Sequence, residues 1–94
     1  MIEHKLYVGA DNKTGIVAKG RIVAIVGRAF DGFTVQKAIG AWKGKYEKSA
    51  VVTIITDNTD AAMIDIDLIV VALKRELEQE FVLWTSHEVK TNLS

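Results

Sequence analysis

The amino-acid sequence predicts a single α+β domain over residues 1–94, with the order strand, helix, strand, strand, helix, strand. Two observations lead to this prediction. A chain of 94 residues has room for only one domain. Its apolar residues also follow two periods, alternating along short segments and recurring at helical spacing along two longer ones.

The first third of the chain predicts a strand, a loop and a helix. His4–Val8 alternates between apolar and polar residues and predicts the first strand. Gly9–Gly15 is rich in Gly, Asp and Asn, which is typical of a loop. Ile16–Phe30 has the length and apolar spacing of a helix, although each of its two internal glycines costs about 1 kcal/mol relative to alanine. We therefore expect the first helix to run over Ile16–Phe30.

The middle third predicts two strands joined by a hairpin. Asp31-Gly32 is typical of a turn, and Phe33–Trp42 follows it as a strand. Lys43–Ser49 is polar and is interpreted as the hairpin loop. Ala50–Thr56 is apolar and β-branched, which favours a central strand of the sheet.

The last third predicts the second helix and the final strand. Asp57–Asp60 offers turn and N-cap side chains, in particular Asp57 and Asp60 themselves, and Ala61–Glu80 follows as a helix. Phe81–Val89 is the last strand. The helix has a core-facing stripe at helical spacing, formed by Ile66, Ile69, Val70, Leu73 and Leu77. Two strand–helix–strand units joined by a hairpin predict a ferredoxin-like fold, a four-stranded antiparallel sheet with both helices on one face.

Composition and charge exclude several classes of function. The chain has no cysteine, so disulfides, thiolate metal sites and thiol catalysis are excluded. Net charge is zero, which gives no support for a nucleic-acid or membrane partner. The apolar runs are too short for a signal peptide or a membrane span, so we expect a cytoplasmic protein.

The neutral total conceals two halves of opposite charge. Residues 1–48 hold nine Lys or Arg against four Asp or Glu, whereas residues 49–94 hold three against eight. A basic half is sometimes a nucleic-acid-binding end, and alternatively the two halves pair with each other. Because a ferredoxin-like fold sets its two helices side by side, pairing within the chain or between chains is the favoured interpretation.

Five short motifs carry a resemblance to a known family. They are Leu6-Tyr7-Val8-Gly9, Phe30-Asp31-Gly32-Phe33-Thr34-Val35, Gly40-Ala41-Trp42, Ser49-Ala50-Val51-Val52 and Gln79-Glu80-Phe81-Val82-Leu83. In this order they resemble a family of small bacterial proteins of unknown function, and the resemblance covers most of the chain. The sequence departs from the family in lacking a proline before the Asp-Gly turn. The resemblance implies the fold and carries no activity, cofactor or site.

Two surfaces are candidates for self-association. The sheet face opposite the helices is too apolar for a solvated surface and too polar for a core, which is typical of an interface or a ligand groove. Its residues are Tyr7, Thr34, Gln36, Val51, Thr53 and Ile55. The second helix is apolar nearly all round, with Leu68 and Val71 away from its core stripe. We expect a homodimer or a larger homo-oligomer.

The hairpin is the best candidate for ligand binding. Lysines interleaved with aromatic residues are able to hold an anion and stack a base, and a solvated hairpin tip is the alternative interpretation. The candidate residues are Trp42, Lys43, Lys45, Tyr46 and Lys48. Arg28, with Arg21, could grip a phosphate, although partners on the acidic second helix are the more natural interpretation.

Catalytic and metal sites gain little support from the sequence. His4 and His87 would be neighbours if the first and last strands pair, and such a pair could bind a metal or move a proton. We nevertheless expect both to lie on solvated strand ends, with no metal, no cofactor and no catalytic residue. The favoured hypothesis is a non-enzymatic oligomeric binding or regulatory domain that holds a small anionic, nucleotide-type ligand at a subunit interface. The alternatives are a small dimeric α+β-barrel isomerase or oxygenase, and a structural oligomer without a ligand.

Overall fold

The structure, a computed structural model, describes residues 1–92 and has the predicted ferredoxin-like fold. The elements are β1 (Ile2–Gly9), α1 (Lys19–Val26), β2 (Thr34–Trp42), β3 (Lys45–Thr56), α2 (Asp60–Glu76) and β4 (Leu83–Glu88). The four strands form one antiparallel sheet in the order β2-β3-β1-β4. No helix of the described residues is long and apolar enough to cross a membrane.

The core lies between the two helices and one face of the sheet. Because strand residues alternate between faces, every second residue of the two central strands points toward the helices. These residues are buried: Leu6 and Val8 of β1, and Ala50, Val52 and Ile54 of β3. The helices contribute Ile22, Ile25, Val26, Ile66, Ile69, Leu73 and Leu77. The predicted core stripe of the second helix is confirmed, with Val70 half-buried at its margin.

The first helix is shorter than predicted, because its expected first turn belongs to the preceding loop. The Ile16 carbonyl accepts a hydrogen bond from the Asp11 amide (3.0 Å), and the Ile16 amide donates to the Thr14 hydroxyl (3.2 Å). These bonds tie Ile16 into the loop, and α1 begins only at Lys19. At the other end, Gly27 is the C-cap and residues 27–29 continue as turns. The predicted range of Ile16–Phe30 is therefore wrong at both ends.

The second helix also ends earlier than predicted. Leu77 is its C-cap, and Glu78 adopts a left-handed conformation with φ of 52°. The Gln79 amide then donates to the Lys74 carbonyl (2.9 Å), which closes a Schellman-type cap. At the start, the cap is Thr59, whose hydroxyl accepts from the Ala62 amide (3.2 Å), rather than Asp57 or Asp60 as predicted.

The hairpin between β2 and β3 is much tighter than the predicted seven-residue loop. Lys43 and Gly44 alone form the turn, with φ values of 49° and 77°, the pattern of a type I′ turn. Trp42 therefore pairs directly with Lys45, and β3 begins at Lys45 rather than Ala50. Residues 39–42 and 45–48 pair with each other beyond the end of β1. We call residues 39–48 the hairpin extension.

A buried histidine joins β1, β3 and β4 beneath the helices. The indole Nε1 of Trp84 donates to His4 Nδ1 (3.1 Å). Because an indole N–H only donates, the proton of a neutral His4 is on Nε2, which donates to the Thr56 hydroxyl (2.9 Å). That hydroxyl donates in turn to the Asp57 carbonyl (2.9 Å). His4 is fully buried, so the expectation of a solvated strand end is wrong for this residue.

Replacing Glu78 with glycine should stabilise the protein. A side chain at positive φ is strained, and glycine relieves that strain at some entropic cost. We expect Glu78→Gly to raise the free energy of unfolding by about 0.5–1 kcal/mol in urea denaturation. Glu80→Gly is the matched control and should give no gain, because Glu80 is not among the residues with positive φ. An equal gain at both positions would contradict the assignment.

Stability should fall as pH falls below about 6.5, the ordinary pKa of histidine. Burial lowers the pKa of His4, so the unfolded chain binds a proton that the folded chain resists. The contribution of His4 is therefore complete above that pH and is lost as pH falls toward its folded pKa. We expect a slope of at most about 1.4 kcal/mol per pH unit in the free energy of unfolding. His4→Gln should flatten the slope and His87→Gln should not; equal slopes in the wild type and His4→Gln would contradict the role of His4.

Candidate functional site

The tight turn places the aromatic residues of the hairpin on opposite faces of the sheet. Every second residue of β3 lies on the same face as buried Val52, and Tyr46 and Lys48 are among them. Their side chains therefore point toward the helix side. Trp42 and Lys45 are cross-strand partners on the other face. A base could not stack between Trp42 and Tyr46. The candidate ligand residues thus divide into two groups.

The first group lies at the tip of the hairpin. The Lys43 ammonium is 5.6 Å from the centroid of the Trp42 ring, within the range of a cation–π contact. Trp42 is 64% exposed, and Lys43 and Lys45 are exposed beside it. None of these three residues lines either of the two grooves described below.

The second group lines a groove on the helix side of the hairpin extension. The groove has a volume of about 640 Å³ and is bounded by residues 15–17, β2 and β3. Lys37 and Lys48 supply its positive charge, and Ile16 and Ile39 supply exposed apolar walls, Ile39 being 73% exposed. Ile39 and Lys48 are cross-strand partners, with Lys37 two residues along the same face. We call this the basic groove.

A neighbouring groove of about 650 Å³ has the opposite charge. It also contains Lys48, together with Tyr46, but it is lined by the acidic residues Asp11 and Glu80. We call it the acidic groove. Since two acidic residues accompany one lysine, this groove is less favourable to an anion than the basic groove, and Lys48 lines both grooves.

The loop that separates the grooves is held by its own hydrogen bonds. The Asp11 carboxylate accepts from the amides of Lys13 and Thr14, both at 2.8 Å, and the Gly15 amide donates to the Asp11 carbonyl. The hydrogen bonds from the Thr14 and Lys13 amides, that from Thr14 first, hold the pKa of the Asp11 carboxyl below its ordinary value. Gly15 lies at φ of 68°, a conformation that suits glycine. The shared wall of the two grooves is therefore formed before any ligand arrives.

Arg28 is engaged elsewhere, on the second helix. Its guanidinium donates two hydrogen bonds to the Glu76 carboxylate, at 2.5 and 2.7 Å, and Arg21 donates to the Glu76 carbonyl at 2.6 Å. The hydrogen bonds from Arg28 hold the pKa of Glu76 below its ordinary value. The basic first half and the acidic second half thus meet in a bidentate pair, as the charge pattern suggested, and Arg28 is not part of either groove.

The two histidines do not form a pair. His4 is opposite Ser86 in the sheet, and His87 is opposite Glu3, so their side chains point to opposite faces. His87 Nε2 lies 3.7 Å from a Glu3 carboxylate oxygen on the exposed face. Within residues 1–92 no group of three His, Asp or Glu side chains is arranged to hold a metal. Neither histidine lines either groove.

The sheet face away from the helices carries all six residues predicted as an interface. Strand register places Leu83, Tyr7, Val51 and Gln36 in one row across the sheet, and Thr85, Lys5, Thr53 and Thr34 in the next. Ile55 lies beside Glu3 in a third row. We call this surface the open face. Sequence reasoning missed the β4 residues Leu83 and Thr85, which the alternation of β4 could have revealed once its pairing with Tyr7 was assumed.

Solved structures with a similar fold differ widely from this chain in sequence. The phage SAM lyase in complex with S-methyl-5′-thioadenosine is 18% identical, with a TM-score of 0.64 over 93% of this chain and 80% of that one. A DUF3240 family protein from Shewanella baltica OS155 is 14% identical, with a TM-score of 0.65 over 99% and 94%. The de novo designed protein Foldit4 is 15% identical, with a TM-score of 0.51 over 95% and 96%. At these identities the likeness shows the fold alone.

The family comparison extends over nearly the whole chain. No curated protein matches the sequence. The model of the family described as "Protein of unknown function (DUF3574)" matches residues 4–93, which confirms the resemblance drawn from the five motifs. The chain belongs to this family of proteins of unknown function.

Proposed function

We propose that this protein is a non-enzymatic oligomeric binding domain that holds a small anionic, nucleotide-type ligand in the basic groove and associates with a second copy of the chain through the open face. The observation that carries the proposal is the pair Lys37 and Lys48. Both face the same groove, and within residues 1–92 neither has an ion-pair partner. On neighbouring strands their diagonal spacing is roughly 7–8 Å, so two long side chains at this spacing are able to reach one phosphate.

The remaining walls of the basic groove suit an apolar or aromatic ring. Ile16 and Ile39 are large and exposed on either side of the lysines. Ligand sites commonly combine mostly apolar walls with a few polar groups that fix orientation. A nucleotide has this combination, a charged phosphate joined to a flat, weakly polar ring. Lys48 is the member of the original hairpin set that this proposal retains, and Lys37 is added to it.

A second copy would cover the open face of the sheet, on the side away from the basic groove. The open face carries half-buried Tyr7 and Val51 on its two central strands and exposed Leu83 beside Tyr7 on the edge strand β4. Covering such a face by sheet-to-sheet association would remove this apolar area from water.

The enzyme alternative receives no support from the geometry. It requires an enclosed cavity reached by His4 or His87. His4 is saturated by Trp84 and Thr56, and neither groove contains a histidine.

Nucleotide binding should depend on Lys37 and Lys48. Isothermal titration calorimetry with AMP, ATP, inorganic phosphate and S-methyl-5′-thioadenosine separates the contribution of the phosphate to binding from that of the nucleoside. S-methyl-5′-thioadenosine is included because the phage SAM lyase of similar fold was solved in complex with it. We expect AMP or ATP to bind, and Lys37→Ala and Lys48→Ala each to weaken binding about tenfold, through loss of a charge-assisted hydrogen bond. Lys45→Ala is the matched control, because Lys45 lies on the opposite face of the same hairpin. No heat with any of the four probes, or an equal loss in the control, would contradict the ligand proposal.

Self-association through the open face should respond to a charge at its centre. Val51→Asp places a carboxylate on the central strand β3, opposite Tyr7, and we expect the dissociation constant of the oligomer to rise at least about tenfold in sedimentation velocity. Val23→Asp, the same change on the exposed side of α1, is the control and should leave association unchanged. If Val51→Asp and Val23→Asp give the same dissociation constant, the protein does not associate through the open face, and this part of the proposal is refuted.

A further inference from the structure

The outer side of α2 carries an apolar stripe that ends in opposite charges. Ile64 is 59%, Leu68 60% and Val71 44% exposed, although each is a large apolar residue. At about 100° per residue, these three lie on the side of the helix opposite buried Ile66 and Leu73. α2 therefore has two apolar surfaces, one packed against the core and one exposed to solvent.

Two charged residues continue the stripe beyond its apolar centre. Asp60 precedes Ile64 by four positions, and Arg75 follows Val71 by four. All lie within an arc of about 80° on the helix surface. We call the set of Asp60, Ile64, Leu68, Val71 and Arg75 the outer stripe. Both charged residues are exposed, and within residues 1–92 neither forms an ion pair; Glu76, beside Arg75 in the chain, is taken by Arg28 and Arg21.

The outer stripe is complementary to a reversed copy of itself. Asp60 and Arg75 are equally far from its midpoint, as are Ile64 and Val71, with Leu68 next to the centre. Each end charge lies about 11 Å from the midpoint along the helix axis. When a second helix lies antiparallel across this point, each Asp60 meets the partner's Arg75, and each Ile64 meets the partner's Val71. A parallel arrangement would instead bring Asp60 against Asp60 and Arg75 against Arg75.

We propose that the outer stripe is an isologous interface, at which α2 packs antiparallel against α2 of a second copy of this chain across a two-fold axis. Six large apolar side chains then form the centre, and two ion pairs close its ends. Apolar contacts of this kind supply the stability, while the charges at the rim fix the direction and register. This surface lies on the helix side of the molecule, away from the open face, and the inference stands without the proposed function.

The charge pattern allows a test by heterodimer formation. In Asp60→Lys each end of the pair brings two cations together, and in Arg75→Glu each end brings two carboxylates together. We expect each variant alone to raise the dissociation constant at least about tenfold in low-salt sedimentation equilibrium. A mixture of the two variants restores an attractive contact, because the lysine introduced in one chain then faces the glutamate introduced in the other. Native mass spectrometry should therefore show a heterodimer in excess of either homodimer.

Controls separate the interface from folding and from the open face. Asp65→Lys reverses a charge on α2 outside the outer stripe and should leave association unchanged. Leu68→Asp should raise the dissociation constant at least about a hundredfold, since it buries a charge at the centre. The series is repeated with Val51→Asp, so that association through the open face cannot mask the result. The variants' helix content is checked by circular dichroism, because both charge reversals oppose the helix dipole.

The outcomes decide the proposal in either direction. A heterodimer that forms while each single variant is monomeric supports the antiparallel pairing, since the same two chains fold in both experiments. The proposal is overturned if the protein with Val51→Asp as its only substitution, and therefore an unchanged outer stripe, is monomeric. Single variants that associate as the wild type does, or a mixture that remains monomeric, overturn it as well.

Discussion

The burial of alternate residues of β1 and β3 beneath the two helices is the interaction on which the rest of the structure depends. Leu6, Val8, Val52 and Ile54 are fully buried there, with α1 and α2 contributing the other half of the core. A sheet of four strands has two faces, and two helices cover only one of them. The same packing that completes the core thus leaves the open face and the outer stripe of α2 uncovered. Both surfaces follow from a two-layer arrangement, with one sheet and one layer of helices.

The mismatch in strand length creates the candidate site. β3 has 12 residues, whereas β1 has 8 and reaches only to Ser49 of β3. The hairpin extension therefore leaves the covered sheet, and residues 15–17 lie against its helix side. The two grooves exist because the strands end at different levels on this side of the sheet. Lys48 lies just beyond the end of β1, and its carbonyl accepts a hydrogen bond from the Ala10 amide at 3.1 Å.

Sequence patterns predicted the fold because their periods are properties of single elements. The alternation of β1 and the helical spacing of α2 are visible without any knowledge of their partners. The turn at Lys43-Gly44 was missed because a lysine at positive φ carries no sequence signal, unlike the Asn-Gly pair typical of this turn. That error had a large effect at the candidate site. A seven-residue loop would let Trp42 and Tyr46 meet, whereas a two-residue turn fixes a register that separates them. The length of α1 was overestimated for a related reason, since the bonds that hold Ile16 come from Asp11 and Thr14 in the loop.

The backbone of the hairpin extension differs from that of the central strands in how readily its hydrogen bonds open. Residues 2–7 of β1 and 50–53 of β3 are paired with a strand on both sides, so we expect their amides to exchange hydrogens only when the core unfolds. Residues 39–42 and 45–47 are bonded only to each other, and a two-stranded ribbon is marginally stable in water. Their exchange is governed by local fraying, which costs far less than global unfolding. A molecule that binds against this ribbon would suppress that fraying, so binding in the groove would also make the turn more rigid.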